Sequence, residues 1–474
     1  MARALLELAR GTDHVPGPDQ GGVMKSRNSR VSLAVVATIL GWMATVAVVN
    51  AATDPGVRPG TAAGNSIPGL SADQAMLFQI GQDAFNELEG VGDGLGPRYN
   101  LDSCGGCHSF PATGGTSPAV NPQVTVATAS GARNVVPAFI TANGPIREAR
   151  FKFRPGGARD GGVHSLFVIS GRLDDSGSAV NCTAVQEDFN AHFAGGNVSL
   201  RIPTPVFGTG LMENIPQNVL AANLARNAFF KALLGIRGHL NTNGNDGRAT
   251  RFGWKAQNVS LLLFAGEAYN VEMGLTSELF PTERDENANC QTDQVPNNIT
   301  GGGIAITDPS QLLSDTEKFS LFMRFLAPPA PSATVPGGAA SITHGRQVFS
   351  DIGCALCHTP TLQTSVTKVA ALSNQPVALF SDLAVHGMGP KLADNILQGN
   401  AGPDEFRTAP LWGLGQRIFL LHDGRTTDLG QAIRAHASSG TLQFAPSEAN
   451  RVIENFEHLG DAAQQDLLNF LRSL

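Results

Sequence analysis

The chain has 474 residues with 33 Lys and Arg against 40 Asp and Glu, and its net charge of −7 argues against nucleic acid as a partner. The length suffices for two or three domains with substantial cores. With 54 Gly and 28 Pro against 2 Tyr, the chain reads as loop-rich, so bound cofactors rather than aromatic side chains are expected to fill much of the interior.

Lys25, Arg27 and Arg30 precede an uncharged run from Val31 to Val49, and Val49-Asn50-Ala51 fits small-residue cleavage. Residues 24–51 are therefore expected to be a signal peptide that delivers the protein to the periplasm. Residues 1–23 lack such character and read as an upstream extension, with translation starting at Met24. Left uncleaved, the run would anchor the protein in a membrane; no other segment could span one. Ser71-x-x-Gln74 reads as a capping box that opens an amphipathic helix running through Gly81-Gln-Asp-Ala-Phe85.

Next comes Cys104-Gly-Gly-Cys107-His108, repeated later as Cys354-Ala-Leu-Cys357-His358. This pentapeptide is the attachment signature of c-type haem, since two thiols reach the two vinyl groups of a porphyrin while the adjacent imidazole ligates iron. Two covalently bound haems c are expected, with His108 and His358 as axial ligands. A zinc ion held by four thiolates is the competing reading. A His after both pairs, in a chain with an export signal, speaks against it. Cys182 and Cys290 form an even remainder, expected to pair as a disulfide in an oxidising compartment.

Other features also recur. Gly345-Arg-Gln-Val-Phe349 precedes the second motif as Gly81 to Phe85 precedes the first, and Arg201-Ile-Pro-Thr-Pro-Val-Phe-Gly208-Thr-Gly210 is matched by Phe406-Arg-Thr-Ala-Pro-Leu-Trp-Gly413-Leu-Gly415. The expected fold is mainly α, with two cytochrome c-like haem domains from a degenerate duplication, residues 52–330 and 331–474. Loop-rich insertions and some short strands are expected in the first half, near Gly156 to Gly162 and Asn241 to Gly247. A helix from Ser314 to Leu326 precedes a Pro- and Gly-rich linker, and Leu467, Phe470, Leu471 and Leu474 mark a closing helix from Asp461.

A haem with one protein ligand leaves iron open to substrate, whereas one with two transfers electrons. In the second half, His436 at the end of a helix over Asp428 to Ala435, and Met388 in His386-Gly-Met-Gly, are the candidates. His192, His239 and His458 are read as structural, and Trp412 as core.

His422-Asp-Gly-Arg-x-x-Asp-Leu-x-x-Ala-Ile-x-x-His436 resembles the segment of bacterial di-haem cytochrome c peroxidases that carries the distal ligand of their electron-transferring haem, usually a Met. Arg251-Phe-Gly-Trp-Lys-Ala-Gln257 and Gly266-Glu-Ala-Tyr-Asn-Val-Glu272 are similar to stretches of the di-haem oxidoreductases labelled peroxidases or thiol oxidoreductases. The resemblance covers most of the chain after Ser71. It implies that His358 and His436 ligate the second haem, a pair expected to have a lower potential than His and Met. Aligning Lys255 with Arg425, or Leu261 with Leu429, puts the partner of His436 at Gly266 or Ala268, neither of which can ligate. The first haem is thus expected to be the open one, with Met273, Met212 and His164 as alternative sixth ligands.

By the same resemblance Glu272, with Glu267 as fallback, is the catalytic acid or base, and Trp254 the residue between the haems. The Gln that the peroxidases place ten residues before their Glu is absent, that position being Leu262. Arg251, Lys255, Arg407 and Arg425 are reasonable partners for haem propionates. The resembling peroxidases also hold calcium between domains. The expected activity is reduction of peroxide or another small oxidant, with a small redox protein as electron donor or acceptor. A di-haem electron carrier, or an oxidase acting on an organic or protein substrate, are the alternatives.

Overall fold

Ser71 does cap the first helix, Ala72–Asn86: its hydroxyl accepts from Gln74 N, and the Gln74 side chain returns to Ser71 N. The computed structural model describes residues 51–60, 63–128, 133–169, 184–282 and 312–474. Except for Ala51, the expected signal peptide lies outside the described residues, as do Cys182 and Cys290. Among the described residues no helix is long and apolar enough to cross a membrane. The described residues hold together as one compact unit.

The fold is helix-rich with a few short strands. Two helix pairs dominate its contacts. Ala72–Asn86 packs on Asp315–Phe325, and Gly338–Asp351 packs on Asp461–Ser473. The approach is close because each first helix offers a glycine. A Cβ at Gly81 would strike the carbonyl of Lys318, and one at Gly345 the carbonyl of Asp466. Further along the same partner helices, Gly210 lies against the carbonyl of Arg324 and Gly415 against that of Arg472.

One turn beyond each contact glycine, an aromatic ring reaches a His of the repeated pentapeptide. Phe85 lies 6.0 Å from His108, and Phe349 lies 6.3 Å from His358, centroid to centroid. Phe85 also packs against Phe319 and Phe322 in the larger apolar cluster; Phe349 meets Phe380 and Phe470 in the smaller one. Burying each such ring contributes roughly 1.5–3 kcal/mol, so these clusters anchor the pentapeptides.

In the first half a three-stranded antiparallel sheet sets Val163–His164 and Val198–Arg201 on either side of Glu148–Phe151. Its register pairs Glu148 with Arg201, so the two project from the same face of the sheet. The closing helix buries Leu467, Phe470, Leu471 and Leu474, as their spacing requires. Trp412 is buried in the core.

Candidate active site

Each pentapeptide opens onto its own cavity. After the helix Gly338–Asp351, Gly353 at φ +105° turns the chain into a 3-10 turn, Cys354–Leu356. Cys354, Cys357 and His358 then line a cavity of about 230 Å³, with Met388 and His436 also in its wall. His436 caps the C-terminus of the helix Leu429–Ala435, whose N-terminus Asp428 caps.

The two imidazoles are prepared for a metal in the same way. His358 Nδ1 lies 3.0 Å from the carbonyl of Phe380, and His436 Nδ1 lies 2.8 Å from that of Ala432. A carbonyl only accepts, so each Nδ1 carries the hydrogen and each Nε2 keeps its lone pair. Burial, then the neighbouring His436, pushes His358 down to about 4, and burial lowers His436, so both rings are neutral at pH 7.

Arg407 and Arg417 stand in the same wall, and burial pushes both down to about 10, still charged at neutral pH. Arg407 donates through Nε to the carbonyl of Gly253 and Arg417 through Nη2 to that of Pro410. Arg407 Nη1 and Arg417 Nε are buried without partners. Thiols, free Nε2 atoms and unpartnered guanidinium N–H groups together suit a haem with its propionates.

The first cavity, about 110 Å³, is lined by Cys107 and His108. Ser103 caps the short helix Cys104–Cys107, accepting from Gly106 N at 3.0 Å, and His108 Nδ1 donates to the carbonyl of Gly115 at 2.9 Å. Opposing charges are concentrated here. Glu148, Arg150, Arg201, Glu267 and Glu272 all line the cavity.

Glu272 stands near the end of the helix Leu261–Met273 and accepts from Asn100 Nδ2 at 2.7 Å. Glu148 lines the same wall, and Arg150 Nε approaches it to 2.6 Å. Burial, then the Glu148 charge, holds Glu272 well above the usual carboxylate range. Burial pushes Glu148 up as well, yet Arg150 foremost, with Glu272 and Arg201, brings it below that range. Glu267 is hydrogen-bonded to Asn258 Nδ2.

Trp254 lines both cavities. Its indole N–H donates to the carbonyl of Ile202 at 2.8 Å, and Ile202 N donates to the carbonyl of His422 at 2.8 Å.

Three of the four residues expected beside propionates do not line either cavity. Arg251 donates to the carbonyls of Met212 and Ile215, which close the helix Thr209–Glu213. Lys255 is fully buried against Asp394 at 3.0 Å and donates to the carbonyls of Gly402 and Glu405. Arg425 pairs with Asp423 at the surface. Only Arg407 stands in a cavity wall.

Met212 and Met273 lie in the apolar core, and His164 stacks on Phe151 between Asp160 and Glu187. None lines the first cavity, where Ala268 does; Gly266 instead faces Phe280. Among the described residues of that wall His108 is the sole His, and there is no Met.

Sequence reasoning missed Glu148, Gln123 and Gln257 here, and Arg417 in the second cavity. Gln257 Oε1 is buried without a partner. Because the two Cys pairs face different cavities, they do not converge on one zinc ion. Among the described residues, the one close group of three metal-type donors is Cys357, Asp382 and His386. That set is poor in the oxygen ligands calcium takes.

Residues 159–474 match the family described as "Di-haem oxidoreductase, putative peroxidase". The chain belongs to this family of di-haem oxidoreductases, and haem is the cofactor that membership implies for the two cavities. No curated protein matches it significantly. Similar solved structures include the diheme peroxidase BthA from Burkholderia thailandensis, at 15% identity over 47% of this chain and 65% of that one, TM-score 0.28. A MauG-like protein associated with microbial copper homeostasis matches at 16% identity over 50% and 78%, TM-score 0.27. Hydrazine synthase from Kuenenia stuttgartiensis matches at 17% over 35% and 56%, TM-score 0.22. The chain thus spans just over half of the hydrazine synthase chain and just under two thirds of BthA. Likenesses this distant carry nothing about activity.

Proposed function

We propose that the protein is a periplasmic di-haem c-type peroxidase, in which peroxide is reduced in the first cavity with electrons entering through the second. The reading rests chiefly on one contrast: His358 and His436 line the second cavity together with His386, His422 and Met388, whereas His108 is the sole His or Met among the described residues of the first. Bound at His108 and at His358, haem would supply iron that exchanges electrons and, in the first cavity, an open coordination position.

The chain's own groups do the rest. Cys104, Cys107, Cys354 and Cys357 would anchor the porphyrins through thioethers, with Arg407 and Arg417 on the propionates of the second. Reducing a peroxide to two waters takes two electrons and two protons. Glu272 is placed to hold and move a proton at the substrate oxygens. Arg150 and Arg201 supply positive charge toward a developing oxyanion, Gln257 an unpartnered polar group, and Trp254 a polarizable ring between the two cavities. A small exported redox protein is the expected electron donor.

The recurring pairs, Gly81 with Phe85 and Gly345 with Phe349, each against one partner helix and one His, favour a duplicated cytochrome c-like unit. Gly208 and Gly413 open the matching downstream segments in left-handed conformation, at φ +66° and +71°.

Low-temperature EPR on the ferric protein, repeated after one-electron reduction, tests the proposal. A high-spin signal in either state is expected. If both haems stay low-spin in both states, the peroxidase reading fails and an electron carrier takes its place.

A further inference from the structure

Glu148 and Glu272 line the first cavity from different elements, a strand and a helix, and each bears on the ionisation of the other. Two like charges buried in one cavity wall do not both persist, so one of the two carboxyl groups carries a proton. Their surroundings differ. Glu148 takes the Arg150 guanidinium at 2.6 Å and stands opposite Arg201 in the sheet. Arg201 is itself fixed by Asp394 at 2.5 Å and by Gln398. The Glu272 carboxyl accepts from the neutral amide of Asn100, Arg150 bears on it only as a further charge, and the other acid of its helix in this wall, Glu267, is held by Asn258.

We infer that Glu148 is a positioning residue: as the ionised member of a carboxyl pair, held by Arg150 with the Arg201 charge opposite, it fixes the pair's single proton on Glu272. The opposite departures of the two groups from the ordinary carboxylate range agree with this assignment.

The inference rests on the peroxidase reading of Glu272 and deepens it. Glu272 enters the reaction protonated, so it can accept a proton from a peroxide oxygen only as its own passes to Glu148. The O–H bond on Glu272 breaks as one on Glu148 forms, and the peroxide proton takes the vacated place. When the leaving oxygen takes a proton from Glu272, the transfer reverses and the pair returns to one proton. No oxidant or reductant is consumed by the pair. Glu148 thereby acts through Glu272 without touching substrate.

Infrared titration of the carboxylic-acid C=O stretch in the haem-loaded protein tests this apart from turnover. Burial also raises Glu89 to about 7, so the band is read in the difference between wild type and Glu272→Gln, which is expected to show one protonated carboxyl at pH 7. In Glu148→Gln the repulsion is gone while Arg150 and Arg201 remain, so the midpoint of the band should fall by at least about one pH unit. No such band in the difference, or an unmoved midpoint in Glu148→Gln, overturns the inference. Should Glu148→Gln not fold, the difference at pH 7 still decides. The expected infrared pattern in a protein that turns over no peroxide would sustain the proton assignment and sink the peroxidase reading alone.

Discussion

The indole of Trp254 stands edge-on to the imidazole of His422, with ring centroids 6.3 Å apart and planes at 75°. His422 in turn stacks on Phe406 at 4.3 Å. The backbone of Ile202 ties the pair together, accepting from the indole and donating to the His422 carbonyl. A rigid aromatic run therefore leads from the wall of the first cavity into that of the second.

Replacing Trp254 by Leu keeps an apolar filler and removes the indole. Oxidant added to the fully reduced protein should then oxidise the second haem at least about tenfold more slowly, equivalent to about 1.4 kcal/mol in the barrier. Stopped-flow absorbance resolves the two haems. An unchanged rate would assign the transfer to another route.

His436 is the feature that departs from the peroxidase pattern. Its ring is neutral and its Nε2 is free, so it is set to be a strong donor to iron. His436→Met should raise the midpoint potential of the second haem by on the order of 100 mV, because a thioether favours the reduced metal more than imidazole does. Spectroelectrochemical titration measures this directly. A potential that does not move would mean that His436 is not a ligand, and Met388 in the same wall becomes the residue to change.

Much of this arrangement can be read locally in the chain. Cys-x-x-Cys-His, the Ser71 and Ser314 capping boxes and the Asp428 cap all act within a few residues, so pattern alone locates them. Glu148 carries no such mark. It becomes an active-site group only because a strand places it opposite Arg201 and against a helix 124 positions later, as the pair Glu148 and Glu272 shows. Lys255 fails the other way: it sits inside a recognisable motif, but the fold commits it to Asp394. The missing Gln is similar, since Leu262 holds the expected position while Gln123 and Gln257 reach the cavity from outside the helix.

Glu272→Gln removes the exchangeable proton but keeps the size and polarity of the side chain. Peroxide turnover should fall by roughly 10²- to 10⁴-fold, the usual contribution of a positioned acid or base. Haem content and the optical spectra should be unchanged. Turnover within a few-fold of wild type would remove Glu272 from the mechanism and leave Glu267 as the acid.

Asp54 and Arg472 join the start of the described chain to its last helix. The fully buried guanidinium grips the carboxylate at 2.6 and 2.8 Å, and the same carboxylate accepts from Leu429 N at 2.7 Å, at the start of the helix that delivers His436. Asp54→Asn leaves Arg472 buried without its counter-charge, which should cost about 3–5 kcal/mol of stability in chemical denaturation. The pH dependence has a definite sign. Burial alone would raise the Asp54 pKa, but Arg472 and the amides of Gly56 and Leu429 bring it below the ordinary value. A depressed carboxyl stabilises fully above its unfolded pKa of about 3.9, and that stabilisation is lost as pH falls through the folded value. Acid should therefore narrow the gap between wild type and Asp54→Asn, and a gap that stays constant from pH 7 to pH 3 would show that the pair does not carry the stability assigned to it.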